Sequence, residues 1–238
     1  MAPKNSRRSF MKTTAGVGGG ITVASFAAMF GLTTTASASH DRMDDVATIA
    51  NLAATAETLA ITSYYNTIVN NPIGYSNDVI LYFKYALSAE LYHLDILESL
   101  GGKSLASKFY VPAKFLSDKA TNNATFEAAE TAFTGAYLAA TRRFAELGNP
   151  RLAATTAQHA ATEAEHLALQ RLSGGKLPNP NGLPAPIYYN VSDAVPTLAP
   201  FLQGASGFIG PVPFPGKDAA KAAAGVEALR VPVFLKVF

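Results

Sequence analysis

Two pairs of residues in this chain have the types and spacing of metal ligands. Glu90 precedes His93 by three positions, and Glu163 precedes His166 by the same distance. On a helix this spacing brings both side chains to one face, where they can share a cation. One such pair arises often by chance. Two pairs that use two of the four histidines in the chain indicate a metal site.

Two more glutamates lie on apolar helical stretches. Glu57 is the only charged residue between positions 51 and 69, and Glu130 lies on one stripe with the aromatic residues that follow it. A carboxylate on such a surface is either solvated or held inside by a partner. Glu127, one turn before Glu130, is the alternative ligand from the same stretch. The predicted metal ligands are Glu57, Glu90, His93, Glu130, Glu163 and His166.

Four glutamates and two histidines are a ligand set for two bridged metal ions. In helical proteins with such sites, two helices give one glutamate each and two give a Glu-x-x-His pair each. Four carboxylates balance two divalent cations, so the site can be buried. Because the chain has no cysteine, only nitrogen and oxygen ligands are available, and these suit iron and manganese alike. We predict two Fe or Mn ions per chain as cofactors.

Four long helices must present these ligands. Breakers at 70–72 and 101–102 end the first two, and Asn149 followed by Pro150 begins the fourth. Short connections predict antiparallel pairs, whereas the long link at 101–124 predicts one crossover between helices two and three. The fold class is therefore all-α, a ferritin-like four-helix bundle. The predicted helices span residues 44–69, 77–100, 125–147 and 150–172, inside a domain at 41–174.

The C-terminal extension, residues 175–238, differs in composition. Nine prolines between positions 178 and 215 exclude a long helix there. Aromatic and aliphatic residues among them predict a tail that packs on the bundle. We predict a short helix at 217–229 and an extended segment at 231–238.

The first 38 residues predict an export signal. Arg7 and Arg8 stand in a basic zone, a mildly apolar stretch follows at 13–32, and Ala36 and Ala38 form a small-x-small cleavage pattern. The sequence around the two arginines resembles the twin-arginine consensus, which predicts a periplasmic, extracellular or envelope location. An uncleaved membrane anchor is the alternative.

The charge balance gives no support for nucleic-acid binding. Four of the 19 basic residues lie in the export signal, so the mature part has 15 basic and 17 acidic side chains. A faintly acidic surface without a basic stripe does not attract phosphate backbones. We predict no nucleic-acid partner, and membrane contact only through an uncleaved signal.

The segments that carry the ligands resemble the exported ferritin-like domain family of bacteria. The similarity covers about residues 44–173 and includes 56–59, 90–93, 129–138 and 163–166. The resemblance implies a ferritin-like bundle with a di-metal centre. Where relatives often place a second acid one turn after the first-helix glutamate, this chain has Ala60 and Ile61.

Two functions are compatible with these ligands. The first is an oxidoreductase whose small-molecule partners are O2, peroxide or Fe(II). The second is a non-catalytic stress-protection or envelope protein in which the metal is structural or lost. Both leave open an association of several copies of the chain.

Residues around the predicted ligands have less specific interpretations. His159 lies on the face of Glu163 and His166 and is expected to be an interior histidine or a donor to a ligand. Packing in the core is the expected role of the tyrosines at 64, 65 and 137. The acids at 95, 98 and 165 are expected in solvent, and the arginines at 142 and 143 in an exposed patch.

Overall fold

The computed structural model describes residues 43–237. The predicted export signal at 1–38 lies outside the described residues. The protein is mostly helical, as predicted, with one small sheet. Its elements in chain order are α1 (Val46–Ile68), α2 (Asn77–Ser99), β1 (Lys108–Pro112), α3 (Lys119–Glu146), α4 (Pro150–Ser173), a 3-10 turn (Val191–Ala194), α5 (Val195–Gln203), β2 (Phe208–Pro213), α6 (Lys217–Ala224) and α7 (Phe234–Val237).

Side-chain caps explain where the helices begin. The Asn149 side chain accepts a hydrogen bond from the Leu152 amide at 3.1 Å and Pro150 follows, as expected for the start of α4. The predicted start of the third helix at Thr125 is wrong. Asp118 accepts from the Thr121 amide at 2.7 Å and caps α3 six residues earlier, so the polar stretch before Thr125 is helical.

Contacts at both ends show that α1 and α3 are antiparallel. Arg143, near the end of α3, donates to the Asp44 carbonyl before α1 at 2.7 Å. Asn122, near the start of α3, donates to Thr67 near the end of α1 at 3.2 Å. Because the chain also reverses direction between α1 and α2, helices α2 and α3 run in the same direction. The chain must therefore return along the helices between them.

The returning segment carries a strand that the sequence analysis did not predict. β1 pairs with β2 of the C-terminal extension in an antiparallel ladder, with Phe109 opposite Val212 and Val111 opposite Ile209. At Gly210, a Cβ would lie 2.8 Å from the Phe109 carbonyl oxygen, so this close approach needs glycine. The sheet joins the crossover to the extension.

The C-terminal extension lies against the long helices, and two predictions about it are wrong. The helix predicted at 217–229 ends at Ala224, because Gly225 takes a left-handed conformation with φ 60°. The segment predicted as extended at 231–238 contains α7. Lys217 and Arg230 donate to Asp95 on α2 at 2.8 and 2.9 Å, so this acid pairs with the extension instead of only facing solvent.

The two arginines near the end of α3 are not an exposed patch. The Arg142 guanidinium stacks on the Tyr189 ring, 3.7 Å from its centroid, and also donates to the Tyr189 carbonyl at 2.7 Å. Arg143 binds the backbone before α1, as described above. Both side chains attach other segments to α3.

Among residues 43–237, no helix combines the length and the apolar character needed to cross a membrane. The four long helices and the extension instead share three clusters of buried apolar side chains.

Gly135 sets how closely the extension approaches α3. A Cβ at this position would lie 2.4 Å from Cγ1 of Ile187 and 3.3 Å from the Tyr188 ring. We expect Gly135→Leu to destabilise the fold by about 1–3 kcal/mol, the usual range for overpacking, and to loosen residues 177–190. Limited proteolysis and thermal unfolding measure both effects.

The control for that substitution is Ala145→Leu, at an exposed position of α3. It adds a side chain of equal size away from the extension and should leave the cleavage rate unchanged. Equal protection of the extension in both variants would contradict the packing role of Gly135.

Candidate metal centre

All six predicted ligands meet in the interior between the four long helices. α1 provides Glu57, α3 provides Glu130, and α2 and α4 each provide one glutamate and one histidine. None of the six is more than 6% exposed. In each of two groups, one potential ligand atom per residue lies within 4.8 Å of the others. The groups are Glu57, Glu90, His93 and Glu163, and Glu90, Glu130, Glu163 and His166.

Glu90 and Glu163 belong to both groups. A carboxylate has two oxygens and can give one to each of two cations, so these two side chains are in the position of bridges. The other glutamate and the histidine of each group are terminal: Glu57 with His93, and Glu130 with His166. The arrangement can hold two divalent ions side by side.

The imidazole nitrogens lie among the carboxylates. Nδ1 of His93 is 3.0 Å from Glu90, 3.1 Å from Glu163 and 3.7 Å from Glu57. These short separations involve both bridging glutamates and the terminal one. Each is a contact that one cation between the atoms could replace.

The second histidine has equivalent surroundings. Nδ1 of His166 is 2.9 Å from Glu90, 3.4 Å from Glu163 and 4.0 Å from Glu130. Both histidines therefore present the same ring nitrogen to the cluster. This common orientation fits one imidazole ligand per ion.

Several ligand atoms are buried without a hydrogen-bond partner among the described residues. They belong to all four glutamates and to one histidine: Oε2 of Glu57, Oε1 of Glu90, Oε2 of Glu130, both oxygens of Glu163 and Nδ1 of His166. Leaving such atoms unsatisfied in an apolar interior is costly. Two divalent cations would satisfy them and balance the four carboxylates, so the residues fit a di-metal centre.

Burial keeps the two terminal glutamates protonated in the absence of cations. It raises the pKa of Glu57 well above its usual range, and the charges of Glu90 and Glu163 raise it further. Burial also raises the pKa of Glu130, with Glu163 as the largest like charge. Both effects disfavour the ionised form.

The histidines and the bridging glutamates shift toward their charged forms. Burial opposes charge on His93 and His166, but the adjacent carboxylates, Glu57 and Glu90 respectively, raise both pKa values well above the usual range. Burial likewise opposes charge on Glu90, and burial and Glu90 oppose it on Glu163, yet the two histidines lower both glutamate pKa values. Two imidazolium ions thus balance two carboxylates.

Two buried tyrosines each bind a terminal glutamate. Tyr64 on α1 donates to Glu130 on α3 at 2.6 Å, and Tyr137 on α3 donates to Glu57 on α1. The interpretation of these tyrosines as packing residues alone is wrong. Each phenol satisfies one oxygen of a carboxylate that a helix neighbour presents. Tyr65 is half-buried and lies outside this arrangement.

Sequence analysis missed two residues beside Tyr64. Gln170 donates to the Tyr64 hydroxyl at 3.2 Å, and the Tyr82 hydroxyl lies 3.5 Å from it and donates to the His166 carbonyl at 3.1 Å. Gln170 follows His166 by four positions, so helical periodicity could have found it. Tyr82 had no such signal, because its contacts cross between helices.

His159 is an interior histidine in contact with the ligand region. Its Nδ1 lies 2.8 Å from the Thr155 carbonyl, and its ring centroid lies 4.6 Å from that of His93 and 4.8 Å from that of Tyr137. Burial and the charge of His93 lower its pKa to about 4. His159 is therefore neutral near pH 7, and its Nε2 has no hydrogen-bond partner in the described part of the chain.

Glu130, and not Glu127, is the α3 residue of the cluster. Glu127 pairs with Arg171 at 3.2 Å and with Lys176 at 2.5 Å, on the side of α3 away from the other ligands. Glu165 is exposed, as predicted.

The ligand pattern repeats along the chain at a constant interval. Glu57 and Glu130 are 73 residues apart, and so are the tyrosines at 64 and 137, the glutamates at 90 and 163, and the histidines at 93 and 166. The helix pair α1–α2 thus provides the same set as α3–α4. Comparisons with protein-family models, with curated proteins and with solved structures found no match to this chain.

Metal loading should displace protons from the cluster. The ligands bind cations as neutral imidazole and ionised carboxylate, whereas the metal-free cluster holds protons on two histidines and on Glu57 and Glu130. Near pH 6 we expect loading with two divalent ions to release about four protons per chain, and apparent affinity to rise with pH. Calorimetry in buffers of different ionisation enthalpy counts the protons.

Glu163→Gln and Glu165→Gln form the matched pair for this measurement. They lie two positions apart on α4, one in the cluster and one exposed. The first should abolish loading of at least one ion, and the second should behave as the wild type. Loading without proton release would contradict the protonation described here.

Proposed function

We propose that this chain is an exported, ferritin-like four-helix-bundle protein that uses a di-iron or di-manganese centre to react with O2 or peroxide or to oxidise Fe(II). The observation that carries the proposal is the pair of four-residue groups that share Glu90 and Glu163. A site with two bridging carboxylates and one histidine per ion is typical of di-metal proteins of this class.

The course of the chain supports the ferritin-like part of the proposal. Helices α2 and α3 run in the same direction and are joined by a long crossover, which distinguishes this arrangement from a simple up-down bundle. Export by the twin-arginine signal at 1–38 belongs to the same proposal. That route suits a protein that takes up its ions before it leaves the cell.

The protein's own residues would control the site. When bound, the two ions supply redox equivalents and Lewis acidity. Glu57 and Glu130 hold the outer sides of the site, and the tyrosines at 137 and 64 fix their orientation through hydrogen bonds. Buried aromatic rings around Tyr64, including Phe83 and Phe126, exclude bulk water.

A structural role for the metal is the second candidate. It is favoured by the burial of all six ligands, each at most 6% exposed, which leaves little access for a large substrate. In that case the ions would mainly hold four helices together and stabilise the fold. Turnover separates the two candidates.

Metal analysis and oxidation assays test the proposal together. We expect the native protein to contain about two Fe or Mn ions per chain, the number its ligand charge balances. The double variant Glu90→Gln, Glu163→Gln should lose them. Its rate of Fe(II) oxidation should fall by more than the about 10–100-fold typical of residues that only orient a ligand.

Glu165→Gln is again the control and should retain both ions and the rate. Two ions per chain with no oxidation of Fe(II) and no consumption of peroxide would favour the structural role. Absence of bound metal after anaerobic loading would contradict both candidates.

A further inference from the structure

An apolar cavity lies beside one half of the ligand cluster. Its volume is about 30 Å³, and it is enclosed by α1, α3 and the segment 191–198. The side chains from the extension, among them Val191 and Leu198, are buried and close it on one side. The extension therefore forms part of a chamber that the four long helices alone would leave open.

The chamber has no free polar group on its wall. Every lining side chain is apolar except Tyr137, whose hydroxyl already donates to Glu57. A water molecule needs about 10–15 Å³ and two to four polar partners, so this chamber has the space but not the partners. Cavities of this kind stay dry and take small apolar molecules.

The chamber adjoins the ligand Glu57. Its wall includes Ala56, next to Glu57 in the chain, and Ala53, one helical turn earlier. A second void of about 10 Å³ shares Ala53 and Tyr137 with the chamber and extends to His159. His159 in turn contacts His93, so both voids lead to the group formed by Glu57 and His93.

The repeat of the ligand pattern shows that this feature belongs to one half only. At the interval of 73 residues, Gln170 beside Tyr64 corresponds to Leu97, which lines the void beside Tyr137. Tyr64 therefore has polar neighbours, Gln170 and Tyr82, whereas the neighbourhood of Tyr137 is apolar. The two halves share ligands and differ in what can approach them.

We propose that this chamber is a binding site for dioxygen, which reaches the centre from the side of Glu57 and His93. The inference rests on the proposed function and narrows its oxidant. Dioxygen is a small apolar molecule and needs no hydrogen-bond partner. Hydrogen peroxide has two hydroxyl groups that the wall cannot satisfy, so it is excluded from this route.

Paramagnetic relaxation by dioxygen tests the site directly. The probe is O2 gas applied to the full-length protein in the presence of Zn²⁺, which is diamagnetic and redox-inert, with nitrogen as the reference gas. We expect the methyl groups of Ala136 and Leu198, which line the chamber, to relax several-fold faster than that of buried Leu87, which does not. Equal enhancement at all three would overturn the proposal.

A filled chamber provides the second test. Ala136→Leu places a larger side chain in the chamber, and Ala129→Leu adds the same atoms at a half-buried site of α3 outside it. Only Ala136→Leu should abolish the enhancement at Leu198 and raise several-fold the O2 concentration for half-maximal Fe(II) oxidation. Its rate with peroxide should be unchanged. An equal loss with both oxidants would overturn the route.

Failure of this inference and failure of the proposed function give different results. The relaxation measurement on the wild-type protein does not depend on turnover or on whether a variant folds. Two bound ions with uniform relaxation would remove the dioxygen site and leave the di-metal centre. Absence of bound metal with enhanced relaxation at Ala136 and Leu198 would remove the centre and leave the site.

Discussion

The burial of four carboxylates in an apolar interior is the constraint on which the rest of this structure depends. Each ionised group would cost several kcal/mol if it were left alone there. The protein answers with charge and with hydrogen bonds: His93 and His166 lie among the carboxylates, and two tyrosines bind the terminal ones. Long helices are needed because these groups must come from four directions and still be surrounded by apolar side chains. The interior is therefore organised around its most polar residues.

Local spacing made most of the cluster predictable from sequence. The pairs Glu90 with His93 and Glu163 with His166 are fixed by the helix period, and the lack of other charges near Glu57 marked it as interior. The choice of Glu130 over Glu127, and the contacts of the tyrosines, depend on how helices pack across one another. Those distances are not encoded in the period of any one helix, so they required the structure.

Segments outside the long helices were less predictable for a related reason. The pairing of β1 with β2, the stacking of Arg142 on Tyr189, and the end of α6 at Gly225 depend on residues far apart in the chain or on one backbone angle. The 73-residue interval was visible in the sequence, but only the shared geometry gave it meaning. Its exceptions, His159 opposite Ala86 and Gln170 opposite Leu97, distinguish two halves that the ligands alone would make equivalent.

The strand pairing between the crossover and the extension sets an order for synthesis. β1 (Lys108–Pro112) leaves the ribosome well before β2 (Phe208–Pro213), so its edge stays unpaired until almost the whole chain has been made. Closing such a long loop is slow compared with forming helices. A nascent or truncated chain therefore exposes one adhesive strand beside its helices. The last residues to be translated cover that strand, which makes completion of the chain a condition for its solubility.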